Sequence, residues 1–112
     1  MVTFSPELKK GSIEMLVLSL LEGRPRHGYD IGKRIEERSG GKLKFALPTL
    51  YPTLLRLENR GWIKGRWVEK PGERLRCFYR LTAEGRRVLA RQRRTWRDYV
   101  AAVEEVMGGS GA

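Results

Sequence analysis

Residues 48–61, PTLYPTLLRLENRG, constrain this chain more than any other stretch. Read as a helix, they have two unlike faces. Leu50, Leu54 and Leu57 recur at i, i+4 and i+7 and share one side. Thr49, Pro52, Arg56 and Asn59 fall on the other side, with Tyr51 at the edge between them. Pro52 limits where the helix can begin, because proline lacks an N–H and its ring clashes with the carbonyl four residues back. It is tolerated in a first turn, where N–H groups have no helical partner. The start is therefore expected near Pro48 or Thr49, and Gly61 is expected to stop the helix as a C′ glycine. Such a helix can dock its leucines on a core while Thr49, Pro52 and Thr53 at its front enter a groove of DNA. An ordinary amphipathic core helix would carry the same leucines.

The flanking segments give that helix a setting. A first helix is expected from about residue 8 to 22, with Ile13, Leu16, Val17, Leu20 and Leu21 in one stripe and Leu8, Met15 and Leu18 in a second, nearly opposite. A helix apolar on both sides needs two neighbours, and in a chain of 112 residues the second is expected to be another subunit. Residues 23–26 form a break. A second helix follows over about residues 28–39, with Ile31 and Ile35 inward and Gly40-Gly41 ending it. Leu43, Phe45 and Leu47 alternate as an extended stretch would. Helix, turn and helix then make a helix-turn-helix.

Beyond Gly61 the period becomes two. Residues 62–69 read as a strand, 70–73 as a turn and 74–81 as the returning strand. Leu75, Cys77, Tyr79 and Leu81 share one face of it; Arg74, Arg76, Phe78 and Arg80 share the other. A hairpin directly after a recognition helix is a wing, and its cations suit phosphates, which fix position without reading sequence. A solvated hairpin face is the plainer alternative. Thr82 can cap a last helix that runs to about Met107, with Glu84 in its first turn. Leu89, Trp96, Val100, Val103 and Met107 make a seam along it that no later segment covers. Six arginines lie between Arg86 and Arg97, read as a solvated face. Residues 108–112 read as a flexible tail.

The ordered words of this chain resemble the PadR-like transcriptional regulators, which have a winged helix-turn-helix. The resemblance rests on His27-Gly28-Tyr29, Thr49-Leu50-Tyr51-Pro52, Arg56-Leu57-Glu58 and Arg60-Gly61, then Phe78-Tyr79-Arg80-Leu81-Thr82, Gly85 and Trp96. It spans about residues 8–107. It implies a mostly α, α+β chain: a winged helix-turn-helix over residues 1–81 and a C-terminal dimerisation helix over 82–107. It also implies that this helix packs against the first helix of the partner. In some small members a flat aromatic drug binds between the subunits, beside a tryptophan at the position matching Trp96. Cys77 departs from the pattern, since lysine or arginine is frequent there, and one wing contact is lost with it.

Composition agrees with that resemblance. Lys plus Arg is 23 against 13 for Asp plus Glu, a net charge of +10. A polyanionic partner is favoured. No apolar run reaches the roughly 18 residues of a membrane span, no cleavable signal is evident, and the lone Cys77 forms no internal disulfide, so a cytoplasmic place is expected. His27 is the only histidine and makes no zinc set with Cys77. No nucleophile–base pair or phosphate-cradling loop occurs, which leaves no enzyme, metal or cofactor to expect.

The candidate DNA contacts are Thr49, Tyr51, Pro52, Thr53, Arg56, Asn59 and Arg60 on the helix, with Lys70, Arg74 and Arg76 on the wing. Arg56 is expected to pair with a guanine, with a phosphate contact alone as the alternative. The candidate dimer interface is Leu8, Met15, Leu18, Leu89, Trp96, Val100, Val103 and Met107; Trp96, Met15 and Val100 would hold a small aromatic or cationic effector. The expected activity is that of a homodimeric repressor on a palindromic operator. A winged-helix module for an acidic protein partner is the alternative.

Overall fold

The computed structural model describes Phe4, Lys9 and residues 11–108. Its elements are α1 (Ile13–Leu20), β1 (Arg26–His27), α2 (Gly28–Arg38), α3 (Leu47–Asn59), β2 (Ile63–Val68), β3 (Arg76–Leu81) and α4 (Ala83–Val106). The fold is α+β and mostly helical, with one antiparallel sheet in the order β1-β3-β2. It is a winged helix-turn-helix followed by a long C-terminal helix. The core lies where α1, α2 and α3 meet the first turns of α4 and the inner face of the hairpin, and Val17, Ile31, Leu54 and Leu57 are fully enclosed there.

Helix ends follow their capping residues. His27 caps α2: its Nδ1 accepts from the Asp30 N–H at 3.2 Å. Thr82 caps α4, its Oγ1 accepting from the Gly85 N–H at 3.0 Å, as the sequence suggested. α3 stops at a Schellman turn. The Trp62 N–H donates to the Leu57 carbonyl and the Gly61 N–H to that of Glu58, while Gly61 takes φ +77°, a conformation open to glycine and costly for other residues.

Several expectations are corrected. α3 starts at Leu47, so Pro52 lies in its second turn and Pro48 takes the favoured place near the start. Residues 43–46 belong to no helix or strand, and Leu47, expected in an extended stretch, opens α3. β3 begins at Arg76, which leaves Arg74 and Leu75 in the wing loop with Leu75 exposed instead of on the inner face. Arg26 belongs to a short strand rather than to a break, paired with Tyr79, and His27 pairs with Phe78.

α1 is shorter than expected, and it packs against α2, α3 and α4 together. Leu18, expected at a subunit seam, is therefore 0% exposed in the chain's own core, and Leu89 lies there with it. Met15 and Leu16 are the half-buried apolar residues left on α1. Leu8 and tail residues 109–112 lie outside the described residues.

Candidate nucleic-acid interface

α3 buries Leu50, Leu54 and Leu57 completely, as their spacing required. Burying three leucines contributes roughly 1.5–3 kcal/mol each relative to exposure, so the orientation of this helix is firmly set. Thr53 goes inward with them at 1% exposure. Its Oγ1 donates to the Thr49 carbonyl at 3.1 Å and accepts from Arg56 Nη2 at 3.0 Å. Thr53 therefore stands behind the helix surface and is corrected from a DNA contact to a support for Arg56.

The remaining candidates on α3 are all exposed, and the structure sorts them into three strips. Toward α1, Arg56 and Arg60 converge on Glu14. Arg56 Nε lies 3.5 Å from one carboxylate oxygen and Arg60 Nη1 lies 2.9 Å from the other. The Arg60 guanidinium also stacks 4.9 Å from the Trp62 ring centroid. Toward the wing, the Gly65 N–H donates to Glu58 Oε2 at 2.9 Å, which ties the end of α3 to β2. Tyr51 is on this side too, its ring against Gly28, where an added methyl would come within 2.9 Å of it. Between these strips stand Pro52, Leu55 and Asn59 at i, i+3 and i+7, all open to solvent. Leu55 is not among the residues expected to meet DNA. Its spacing sets it opposite the three buried leucines, but its residue type suggests core.

The wing presents its cations unevenly. Lys70 is exposed, with Nζ 5.7 Å from the Phe78 ring centroid. Arg74 is exposed in the loop. Arg76 instead folds back, with Nη1 3.2 Å from His27 Nδ1, and is half-buried. Burial and the Arg76 charge push the His27 imidazole below its ordinary range, only partly opposed by Asp30. Arg26, 7% exposed, donates from Nε to the Leu20 carbonyl and from Nη1 to Asp30, each at 2.9 Å. Burial would push the Asp30 carboxyl up, yet Arg26, with Arg34 and His27, holds it below the usual range. A cleft of about 630 Å³ runs between α3 and the wing, lined among others by Tyr29, Tyr51, Trp67 and Arg74. Exposed Arg74 and the tyrosines of α2 and α3 thus line one cleft beside α3.

The candidate effector residues lie elsewhere. Met15 and Trp96 come together along two adjoining grooves of about 980 and 290 Å³ between α1 and α4. Val100 lines neither groove. Trp96 is 44% exposed and its ring lies 6.5 Å from that of Tyr99. Val100 and Val103 are half-buried, and Met107 is exposed, so the far half of α4 carries an open apolar strip. Among the described residues no His, Cys, Asp and Glu side chains gather in a group of three that could hold a metal. No helix among them is long and apolar enough to cross a membrane.

Known proteins share both fold and sequence with this chain. A transcriptional regulator from Clostridium thermocellum superposes with a TM-score of 0.83 at 27% identity, over 91% of this chain and 96% of that one. A PadR family transcriptional regulator from Eggerthella lenta does so at 0.80 and 34% identity, over 90% and 86%. A PadR family transcription regulator from Clostridium difficile does so at 0.75 and 30%, over 88% and 100%. The profile of the transcriptional regulator PadR-like family matches residues 17–91. With that match across most of its winged helix, this chain belongs to the PadR-like family of transcriptional regulators, DNA-binding proteins rather than enzymes.

Proposed function

We propose that the chain is a homodimeric repressor that grips a palindromic operator with α3 and the wing of each subunit. The observation that carries this is the division of α3: three leucines seat it on the core, and the opposite side, with Pro52 and Asn59, is open, flanked by exposed Thr49 and Tyr51. A helix in the major groove turns its outer strip to the base edges and its flanks to the phosphate walls. Thr49, Pro52 and Asn59 meet bases, while Tyr51, Arg56, Arg60, Lys70 and Arg74 meet backbone. Residues 1–81 form the DNA-binding unit and 82–107 the dimerisation helix. An aromatic or cationic effector enters the grooves at Met15 and Trp96 and, by binding one spacing of the two α3 helices better than another, weakens operator affinity.

A gel shift on the gene's own upstream region, repeated over a salt series, tests the DNA reading. A retarded band is expected, with log affinity falling linearly against log salt, since neutralised phosphates release counterions. No retardation at low salt would transfer the basic face to the acidic protein partner.

A further inference from the structure

The outermost strip of α3 carries no charge. Pro52, Leu55 and Asn59 occupy it, and Leu55 is 58% exposed. The cations of the helix are held off it. Arg56 and Arg60 share the Glu14 carboxylate on the α1 side, and Arg56 is further fixed by its bond to Thr53. On the wing side Glu58 is occupied by the Gly65 N–H. The part of the helix that goes deepest therefore offers a branched alkyl group, with a pyrrolidine ring one turn before it and a carboxamide one turn after.

The base edges of the major groove differ in what an alkyl group gains from them. Guanine O6 and N7 and the cytosine amino group are polar, and covering them with alkyl surface strips water without replacing its hydrogen bonds. Thymine alone carries a methyl group at C5. The carboxamide of Asn59 matches the adenine N6 and N7 pair in the same groove. The strip as a whole suits A·T pairs, and an arginine–guanine contact is not available from its centre.

We propose that Leu55, supported by Pro52, is a specificity-determining residue that reads a thymine methyl group in each half of the operator. This rests on α3 being the helix that enters DNA, and the experiment separates the two claims. Duplexes selected by the whole protein from a randomised pool serve as the probe, and each thymine in the enriched site is replaced singly by deoxyuridine, which removes only the methyl group. One or two positions in each half-site are expected to lose affinity about fourfold, the factor that burial of one methyl group corresponds to. That loss should disappear in Leu55→Ala, an exposed helix position changed to a stronger helix former, and persist in Leu55→Met, which keeps an alkyl chain. Deoxyuridine without effect at every position, or an effect undiminished in Leu55→Ala, would overturn the assignment to Leu55. Failure to retain any duplex would overturn the DNA-entering role of α3 beneath it.

Discussion

His27 shows how much one side chain can settle locally. Its Nδ1 caps α2, which requires a lone pair there and so the neutral ring with its proton on Nε2. Phe78 meets that ring edge-on at 5.2 Å, and Arg76 adds its charge alongside. Protonation would destroy the cap and set two cations side by side. The folded value is depressed below the unfolded one, so the stability due to the neutral ring is present above the ordinary histidine range and lost as pH falls through the depressed value. His27→Asn keeps a good capping acceptor without the titration. Melting temperatures measured from about pH 7.5 down to 4.5, either side of that range, should fall faster for the unchanged protein than for His27→Asn. Parallel curves would show that the ring does not titrate with folding. Some residues were legible from type and place: Thr82 before a helix, Gly61 after one. Thr53 was misplaced because a threonine on the edge of a polar face can also turn its hydroxyl back to the carbonyl four residues earlier, and then its methyl joins the core.

Among the elements, the helices could be read from the sequence because their apolar spacing is long enough to repeat. β1 could not, since two residues hold no period, and only the free edge of β3 makes them a strand. Nor could the enclosure of Leu18, since α1 packs at once against α2, α3 and α4. The wing was legible as a hairpin, but not the division of labour between its arginines. Arg76 is spent on His27 inside the sheet, whereas Arg74 reaches out from the loop. Single substitutions should separate them. Arg74→Ala should lower affinity for all DNA sequences alike and reduce the slope of log affinity against log salt by ~1, leaving the melting temperature unchanged. Arg76→Ala should lower the melting temperature, by an amount corresponding to ~1 kcal/mol for a part-buried side chain that loses its packing against the His27 ring, with little change in slope. The reverse pattern would mean that Arg76 is the phosphate contact.

At the scale of the whole molecule, the longest axis measures 59 Å, and beyond Leu89 the apolar residues of α4 lack full cover. Trp96 and Met107 are exposed and Val100 and Val103 half-buried along one strip, and a contiguous apolar strip of this kind marks a subunit interface. Sedimentation at micromolar concentration should therefore give a dimer, and Val100→Asp with Val103→Asp should give a monomer whose winged helix is still folded, because the substitutions lie outside the core formed by α1, α2 and α3. A well-behaved monomer for the unchanged chain would refute the seam. Gly85 adds a mechanical consequence. A methyl group there would overlap the Trp62 carbonyl oxygen, and the Thr82 N–H donates to that same carbonyl. The root of α4 is thus clamped to the turn that ends α3, with no slack between them. α4 is a rigid arm about 36 Å long, at 1.5 Å per residue. A tilt of about 5° at its root displaces its far end by about 3 Å over such a length, and a push of that size on the far end is geared down to the same small angle at α3.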